Sequence, residues 1–486
     1  MQTPSIYSIN FMKDAVSLIT EFLNTQEDEQ LKIAVLGDVM LDEFYQVDVN
    51  RLSPEFPIPV MHSEEEVPMT LPGGAANVAF QLLPFNVKCT LFGIGDQRAK
   101  ELLGCYIPDI VMTGVGFRTP RKRRFFDKDL PLCRWDVECV NPNDEAVKDA
   151  RQYILEQFEQ YARSDDPDII IMSDYNKGFF HDSMAADLID ICNDYDIPIL
   201  VDPKSGPLDQ WNSCTIFKLN GKEAYQFCKH HDCYPEAIVE KLECDAMVVT
   251  QGADGVKTYP AASPSSLYNV PKPVTGHPLG YSGAGDCFAA VYAMAYALDF
   301  DFREASTIAK HAASIYVQKK HNEPVTPFEL RVHCDPAMAK IMTANQLANH
   351  LKDVPGTKVF TNGCFDLLHE GHLKTLKYAK SRADILIVAI NSDQSVKRLK
   401  GKNRPIVPLA QRVSVLAALH DVDFVIAFEE DTPQKVIKQI QPDIIVKGGD
   451  YKNKNVVGAS VAMVEIAPYH KGMSTSSIMR KITHNG

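Results

Sequence analysis

This sequence lacks several things, and each absence narrows what it can be. No apolar run approaches the ~20 residues that cross a bilayer, so no membrane span is expected. Residues 1–30 lack a basic start followed by an apolar core, so no secretory signal is expected either. Positive charge is in deficit: 50 Lys and Arg stand against 63 Asp and Glu, a formal net charge of −13. Nucleic-acid binding needs a basic footprint and is therefore not expected. Phosphorylated small molecules need only local basic groups and stay open. There is no low-complexity tract and no internal repeat. The twelve cysteines are scattered rather than clustered, which points to a reducing cytoplasm and not to a disulfide scaffold. "CKHHDC" at 228–233 is too tightly spaced for an ordinary zinc finger, and a polar helix end is expected there.

What is present is a repeated pattern of strand, turn and helix. Residues 1–30 read as a helical extension. From residue 31, "LKIAVLGD", "DIIIMSD", "IPILVD", "CTIFKLN" and "AMVVTQG" are short apolar runs ending in polar residues or glycine. Such runs, alternating with helices, imply a buried parallel sheet with helices on both faces. This first α/β domain is expected over 31–330. Residues 331–356 read as a connecting helix and linker, with the helix over 335–353. A smaller α/β domain follows over 357–486, with strands in "TKVFTNG", "ILIVAINSD", "DFVIAFEE", "DIIVKGGD" and "VAMVEIA". Ligands in such sheets sit beyond the carboxyl ends of the strands.

In the first domain, "GYSGAGDCFAA" (280–290) reads as a glycine-rich loop opening a helix, whose free N–H groups form an anion cradle. Asp286 in its first turn could accept a proton from an attacking hydroxyl, as phosphoryl transfer requires. "PGGAANVA" (72–79) pairs glycines with an amide suited to sugar hydroxyls. Asn220 and Glu223 in "KLNGKE" suit either water-mediated magnesium binding or a helix cap. Lys122, Arg124 and Arg134 in "TPRKRRFFDKDLPLCRWD" could hold a phosphate already on the sugar, or form a solvated basic hairpin.

With "GDVMLDEF", "SDYNKG", "VDPK", "TQGADG" and "SGAGD" in order over about 300 residues, this half resembles the ribokinase-like sugar kinases. The resemblance implies Asp286 as general base and Gly283, Ala284 and Gly285 as the anion hole. It puts Asp38, Gly73, Gly74 and Asn77 at the sugar, and Asn220 and Glu223 near magnesium through water, with no direct metal ligand.

In the second domain, "TNGCFDLLHEGH" follows a strand and opens a helix. H-E-G-H is not the H-E-x-x-H of a zinc protease. Gly363 lets a nucleotide phosphate approach the backbone. His369 and His372, near a helix N-terminus, can donate hydrogen bonds as charge builds on an α-phosphate. With "GMSTSSIMRKI" at 472–482, this half resembles the cytidylyltransferase-like nucleotidyltransferases. The resemblance implies Ser474, Thr475 and Ser476 at the triphosphate and Lys397, Lys400 and Arg412 on the phosphates. Asn362, Gly363, Phe365, Gly448 and Asp450 would line the nucleotide pocket.

The fused order, a ribokinase-like domain before a Rossmann-like nucleotidyltransferase, resembles the bifunctional heptose 7-phosphate kinase/heptose 1-phosphate adenylyltransferases of Gram-negative bacteria. The activities implied are phosphorylation of D-glycero-β-D-manno-heptose 7-phosphate at C1 and adenylyl transfer to heptose 1-phosphate, with ATP and Mg²⁺. The setting implied is cytoplasmic ADP-heptose synthesis for lipopolysaccharide. A homodimer through the first domain is also expected. Two rivals stay open: the same folds with another sugar phosphate or nucleotide, and a non-catalytic first domain, motivated by Gly280 and Tyr281 before the glycine loop.

Overall fold

In the computed structural model the apolar runs become the strands of two separate sheets. The structure describes residues 14–63, 68–114, 117–128, 130–138, 143–204, 207–262, 268–270, 282–352, 354–449 and 456–468. The chain divides into two compact units, Met1–Cys334 and Asp335–Gly486, each taken here by itself.

The first unit is built on nine strands. Their spatial order is Tyr268–Val270, Val256–Pro260, Ala246–Thr250, Ile216–Asn220, Ile199–Asp202, Ile169–Ser173, Lys32–Gly37, Lys88–Ile94 and Asp109–Thr113. All neighbours pair parallel except at one edge, where Val256–Pro260 runs antiparallel to both Ala246–Thr250 and Tyr268–Val270. Ile33 and Val35 face one apolar core, while Ala34 and Leu36 face the other. Side chains alternate across a strand, so both faces must be apolar when helices cover both. Each fully buried Ile, Val or Leu contributes about 1.5–3 kcal/mol. The chain order reverses between Lys32–Gly37 and Ile169–Ser173, and a crevice at such a switch point is where ligands bind.

A second, four-stranded sheet has the order Met69–Gly74, Val39–Gln46, Arg121–Asp127, Leu130–Val137. The basic segment is thus a hairpin, Arg121–Asp127 against Leu130–Val137. The helix Ala15–Asp28 is capped by Asp14, whose side chain accepts from the Ser17 amide. It buries Leu18, Ile19, Phe22 and Leu23 in the first unit's core, with the Phe22 ring 6.2 Å from that of Phe85 and 6.1 Å from that of Phe300.

The second unit has five parallel strands in the order Phe424–Phe428, Ile385–Asn391, Lys358–Gly363, Ile444–Lys447, Met463–Ile466. Here the switch point lies between Lys358–Gly363 and Ile444–Lys447. The segment read as one connecting helix over 335–353 is broken. It forms a 3-10 turn, Pro336–Lys340, a β-bridge from Ile341 to Val425, and a short helix, Ala344–His350. Leu347 and Leu351 are buried against Phe360 and Ile387, so this segment contributes to the second unit's core. Packing, not helical periodicity, set its form.

Candidate active sites

In the first unit, the helix Ala284–Ala297 begins at Gly283, with no side-chain cap. The first-turn amides of a helix have no intrahelical partner and attract anions. Gly283 has φ +84°, and a Cβ there would lie 2.2 Å from the Tyr316 hydroxyl and 2.9 Å from Asn77 Nδ2. Only glycine fits this approach. Ala284 and Gly285 follow as the first helical residues, and the fit to a phosphate is good.

Asp286 is buried in that first turn. Asn77 Nδ2 donates to its Oδ2 at 2.7 Å, and the Tyr175 hydroxyl donates to its Oδ1. Burial pushes the Asp286 carboxyl up, opposed by these two hydrogen bonds and by the charges of Lys218 and Lys122. Asn77 lies in the helix Ala75–Leu82, which follows Gly73 and Gly74 at the end of a lid strand. Gly73 lets that strand pass Asp42, whose carboxylate carbon would be 3.1 Å from a Cβ.

The lid register explains the basic cluster. Asp42 pairs with Lys122, and Arg124 pairs with Arg134, so these side chains share one face. Arg124 pairs with Asp42 at 3.0 Å and donates to Ser282 Oγ at 3.1 Å, which ties the lid to the glycine loop. Lys122 Nζ lies 4.9 Å from the Tyr175 ring centroid, and burial holds its pKa below the ordinary range. Arg134 is more exposed and pairs with Asp136. The opposite face is a separate network in which Glu43 receives Arg121 and Arg123.

Two expected residues are otherwise engaged. Asp38 was expected at the sugar, but its carboxylate accepts the backbone amides of Tyr175, Lys177 and Phe179 at 2.8, 2.9 and 3.0 Å. It fixes the loop after Ile169–Ser173. Asn220 caps its helix, accepting from Lys222 and Glu223, while Glu223 accepts from the Asn220 amide and from Lys204 Nζ. The capping box leaves Glu223 lone pairs for the waters of a hydrated Mg²⁺, so an outer-sphere site fits. Among the described residues no group of three or more acidic, histidine or cysteine side chains could hold a metal directly, including at Cys228–Cys233. Nearby, Lys218 pairs with Asp202 at 2.5 Å, and burial pushes Asp202 up to about 6.

In the second unit, His369 caps the helix Glu370–Lys380 and His372 lies three residues on. The rings stack with centroids 3.8 Å apart. His372 Nδ1 accepts the His369 amide at 3.4 Å, so its Nε2 carries the proton and is the free donor. Burial, then the charge of His369, hold His372 down at about 4. Gly363 ends the preceding strand. Its missing side chain makes room for the Phe365 ring, 3.2 Å from where a Cβ would be, and that ring lies 5.1 Å from His372. Across the switch point, Lys447 Nζ donates to Asn362 Oδ1, and Gly448 follows. Lys397 and Lys400 are exposed on the helix Asp393–Lys400.

Arg412 was expected on the phosphates, and the structure corrects this. Its side chain is 1% exposed and donates to the carbonyls of Val407, Cys364 and Asn391 and to Asp393. The guanidinium ties three segments together and spends four of its five N–H groups on the protein itself. Asp450, Ser474, Thr475 and Ser476, with Gly280 and Tyr281, lie outside the described residues.

Comparison with known proteins bears on both units. A pfkB family carbohydrate kinase model matches residues 139–327, and a cytidylyltransferase-like model matches residues 360–479. Bifunctional protein HldE of Campylobacter jejuni (strain RM1221) is 34% identical over 483 residues, covering 95% of this chain and 99% of that one. HldE of Histophilus somni (strain 129Pt) is 35% identical over 475 residues, covering 93% and 97%. The chain belongs to the HldE family. It is a bifunctional enzyme, a carbohydrate kinase joined to a nucleotidyltransferase. The HldE fold assignment for the first unit also has a structural parallel. Phosphofructokinase-2 from Escherichia coli, in complex with potassium, superposes with TM-score 0.50 at 14% identity, covering 64% of this chain and 99% of that one.

Sequence reasoning missed Tyr175, Asp42, Asn322 and Lys447. "SDYNKG" was visible as a motif, but nothing in it pointed the tyrosine at Asp286. Asn322, which donates to Asp42 and to the Pro72 carbonyl, carried no local signal at all.

Proposed function

We propose that the first unit transfers the γ-phosphoryl group of ATP to the anomeric hydroxyl of D-glycero-β-D-manno-heptose 7-phosphate. The second unit joins heptose 1-phosphate to the adenylyl group of another ATP, and a separate phosphatase removes the 7-phosphate between the two steps. The observation carrying this reading is that one chain holds two different catalytic ends. One is a buried carboxylate at an uncapped helix N-terminus. The other is a stacked imidazole pair at a second helix start.

In the first reaction Asp286 takes the proton of the C1 hydroxyl as its oxygen bonds to the γ-phosphorus. The bond to the β,γ-bridging oxygen breaks and ADP leaves. The Gly283–Gly285 amides receive the charge of the phosphoryl group, and Asn77 and Tyr175 hold the base. Lys122 and Arg124, with Arg134 on the same lid face, receive the 7-phosphate. Arg124 must exchange its Asp42 contact to do so. Magnesium, held through water by Asn220 and Glu223, would add positive charge beside the triphosphate. Asp38 serves the loop that carries Tyr175.

In the second reaction a phosphate oxygen of heptose 1-phosphate attacks the α-phosphorus of ATP. The α,β-bridging bond breaks, pyrophosphate leaves and ADP-heptose forms. Neutral His369 and His372 donate hydrogen bonds to the crowded α-phosphate. Asn362, Gly363, Phe365 and Gly448 border the nucleotide, and Lys397 and Lys400 approach the phosphates from the exposed face of the helix Asp393–Lys400. Asp450, Ser474, Thr475 and Ser476 complete the pocket on the strength of the family pattern. The product supplies lipopolysaccharide core assembly.

Two further parts of the reading concern setting and assembly. The described cysteines are all free thiols, in keeping with a reducing cytoplasm, and no helix among the described residues is long and apolar enough to cross a membrane. Leu52, Phe56, Ile58, Leu130 and Trp135 are exposed on the lid strands and their connections, which supports a homodimer built on the first unit. A monomer by light scattering at working concentration overturns the dimer.

Product analysis by mass spectrometry tests the function. With ATP, Mg²⁺ and heptose 7-phosphate, the wild type is expected to give the 1,7-bisphosphate, and ADP-heptose only after a phosphatase is added. With the phosphatase present, His372→Ala is expected to stop at heptose 1-phosphate. No bisphosphate from the wild type, with heptose 1-phosphate still adenylylated, overturns the kinase reading. Turnover with CTP in place of ATP overturns the choice of nucleotide.

A further inference from the structure

We infer that Tyr175 is a positioning residue for phosphoryl transfer, holding the Asp286 carboxylate ionised and aimed at the sugar hydroxyl. This rests on reading Asp286 as the base.

Three observations carry it. First, the Tyr175 hydroxyl donates directly to Asp286 Oδ1, while Asn77 occupies Oδ2. These two neutral donors contact the carboxylate directly, with the helix terminus and the charges of Lys218 and Lys122 acting beside them.

Second, the loop bearing Tyr175 is fixed by two buried carboxylates at the switch point. Asp38 accepts the amides of residues 175, 177 and 179, and Asp174 accepts those of Asn176 and Lys204. Backbone capping of this density is more than a surface turn needs, and it sets where the phenol points.

Third, the Tyr175 ring lies 4.9 Å from Lys122 Nζ on the lid and 6.0 Å from Lys204 Nζ, which pairs with Glu223. The tyrosine therefore joins the base to the lid. Burial and the charge of Asp286 push the phenol well above its ordinary range, so it remains a donor throughout the working pH range.

Several other groups face Asp286. Lys122 approaches from the lid strand, and Lys218 from Ile216–Asn220 with its partner Asp202. Tyr316 approaches from the helix Phe302–Tyr316, and Asn77 from Ala75–Leu82. Asp42 and Lys204 stand one side chain further out. All of these remain when Tyr175 loses only its hydroxyl.

The test is Tyr175→Phe in the full chain. Kinase turnover is measured by ADP release with saturating heptose 7-phosphate, across pH 5–9. Adenylyl transfer to heptose 1-phosphate by the same preparation reports on folding. A lost donor raises the pKa of the base, so the acidic limb of the kinase profile is expected to move up by about one pH unit, with the rate recovering at alkaline pH. Below the limb this is about a tenfold loss. 3-Fluorotyrosine at 175, a stronger donor of nearly the same shape, is expected to move the limb the other way. An unmoved limb, or an equal loss at every pH, overturns the inference, whether or not adenylyl transfer persists. Asp286→Asn separates the two readings. If it keeps kinase activity, the base assignment fails. If it is inactive while Tyr175→Phe leaves the limb in place, only the role of Tyr175 fails.

Discussion

Gly283→Ala tests whether the uncapped helix start is built around a missing side chain. The residue sits at φ +84°, where an alanine costs roughly 1–2 kcal/mol in backbone strain. Its Cβ would also lie 2.2 Å from the Tyr316 hydroxyl and 2.9 Å from Tyr316 Cζ. Tyr316 is 2% exposed and cannot swing into solvent, so the core must shift, at about 1–3 kcal/mol for an overpacked site. The two costs together predict a loss of about 2–5 kcal/mol in the first unit, read by urea denaturation. The same Cβ would press on Asn77, 2.9 Å away, which holds Asp286, so the kinase rate should fall at least tenfold. Adenylyl transfer, carried by residues of the second unit, should be unchanged. Tyr316→Phe removes the nearest atom but not the ring or the strain. The double variant should therefore recover about half of the stability loss, a coupling of order 1–2 kcal/mol. Wild-type stability in Gly283→Ala, or no recovery in the double variant, would refute the packing argument.

Asp286→Asn should lower kinase turnover by roughly 10²–10⁴-fold while the fold holds, because the amide can still receive from Asn77 and donate to the Tyr175 oxygen; a loss under tenfold in a steady-state assay removes Asp286 as the base. Arg412→Ala should destabilise the second unit by about 3–5 kcal/mol, since it leaves three carbonyls and Asp393 without their donor; a raised KM for ATP with unchanged denaturation would instead restore the phosphate-binding expectation. His372 gives a signed pH dependence. Its folded pKa of about 4 lies below the ordinary 6.5, so between these values the unfolded chain binds more protons. Stability should therefore fall as pH drops from 6.5 through 4, by about 3 kcal/mol in all, and His372→Gln should flatten that slope in the denaturation of the second unit. Equal slopes in the two proteins would count against a buried neutral imidazole.

The sequence by itself determined a good deal here. Continuous apolar runs between helices can only be strands buried on both faces, so two parallel sheets were readable before any contact was known. Local motifs were readable for the same reason. A glycine loop opening a helix puts free amides beside Asp286, and His369 and His372 lie within one helical turn, so their meeting needed no long-range information. The lid cluster needed only a hairpin register to bring Arg124 opposite Arg134.

Tertiary structure decided what depends on distant partners. Asp38 and Tyr175 are separated by more than a hundred residues, and their bond exists because the chain order reverses between two adjacent strands. Arg412 read as a basic residue in a loop, which suits a phosphate. Only the fold shows it enclosed by carbonyls of three segments, where a planar fork of donors joins backbone rather than ligand. The segment after residue 335 read as a helix, yet a strand edge captured Ile341 and a second core took Leu347 and Leu351. Local chemistry fixes which groups can act. Which of them remain free to act is decided by the neighbours that folding brings to their donors and acceptors.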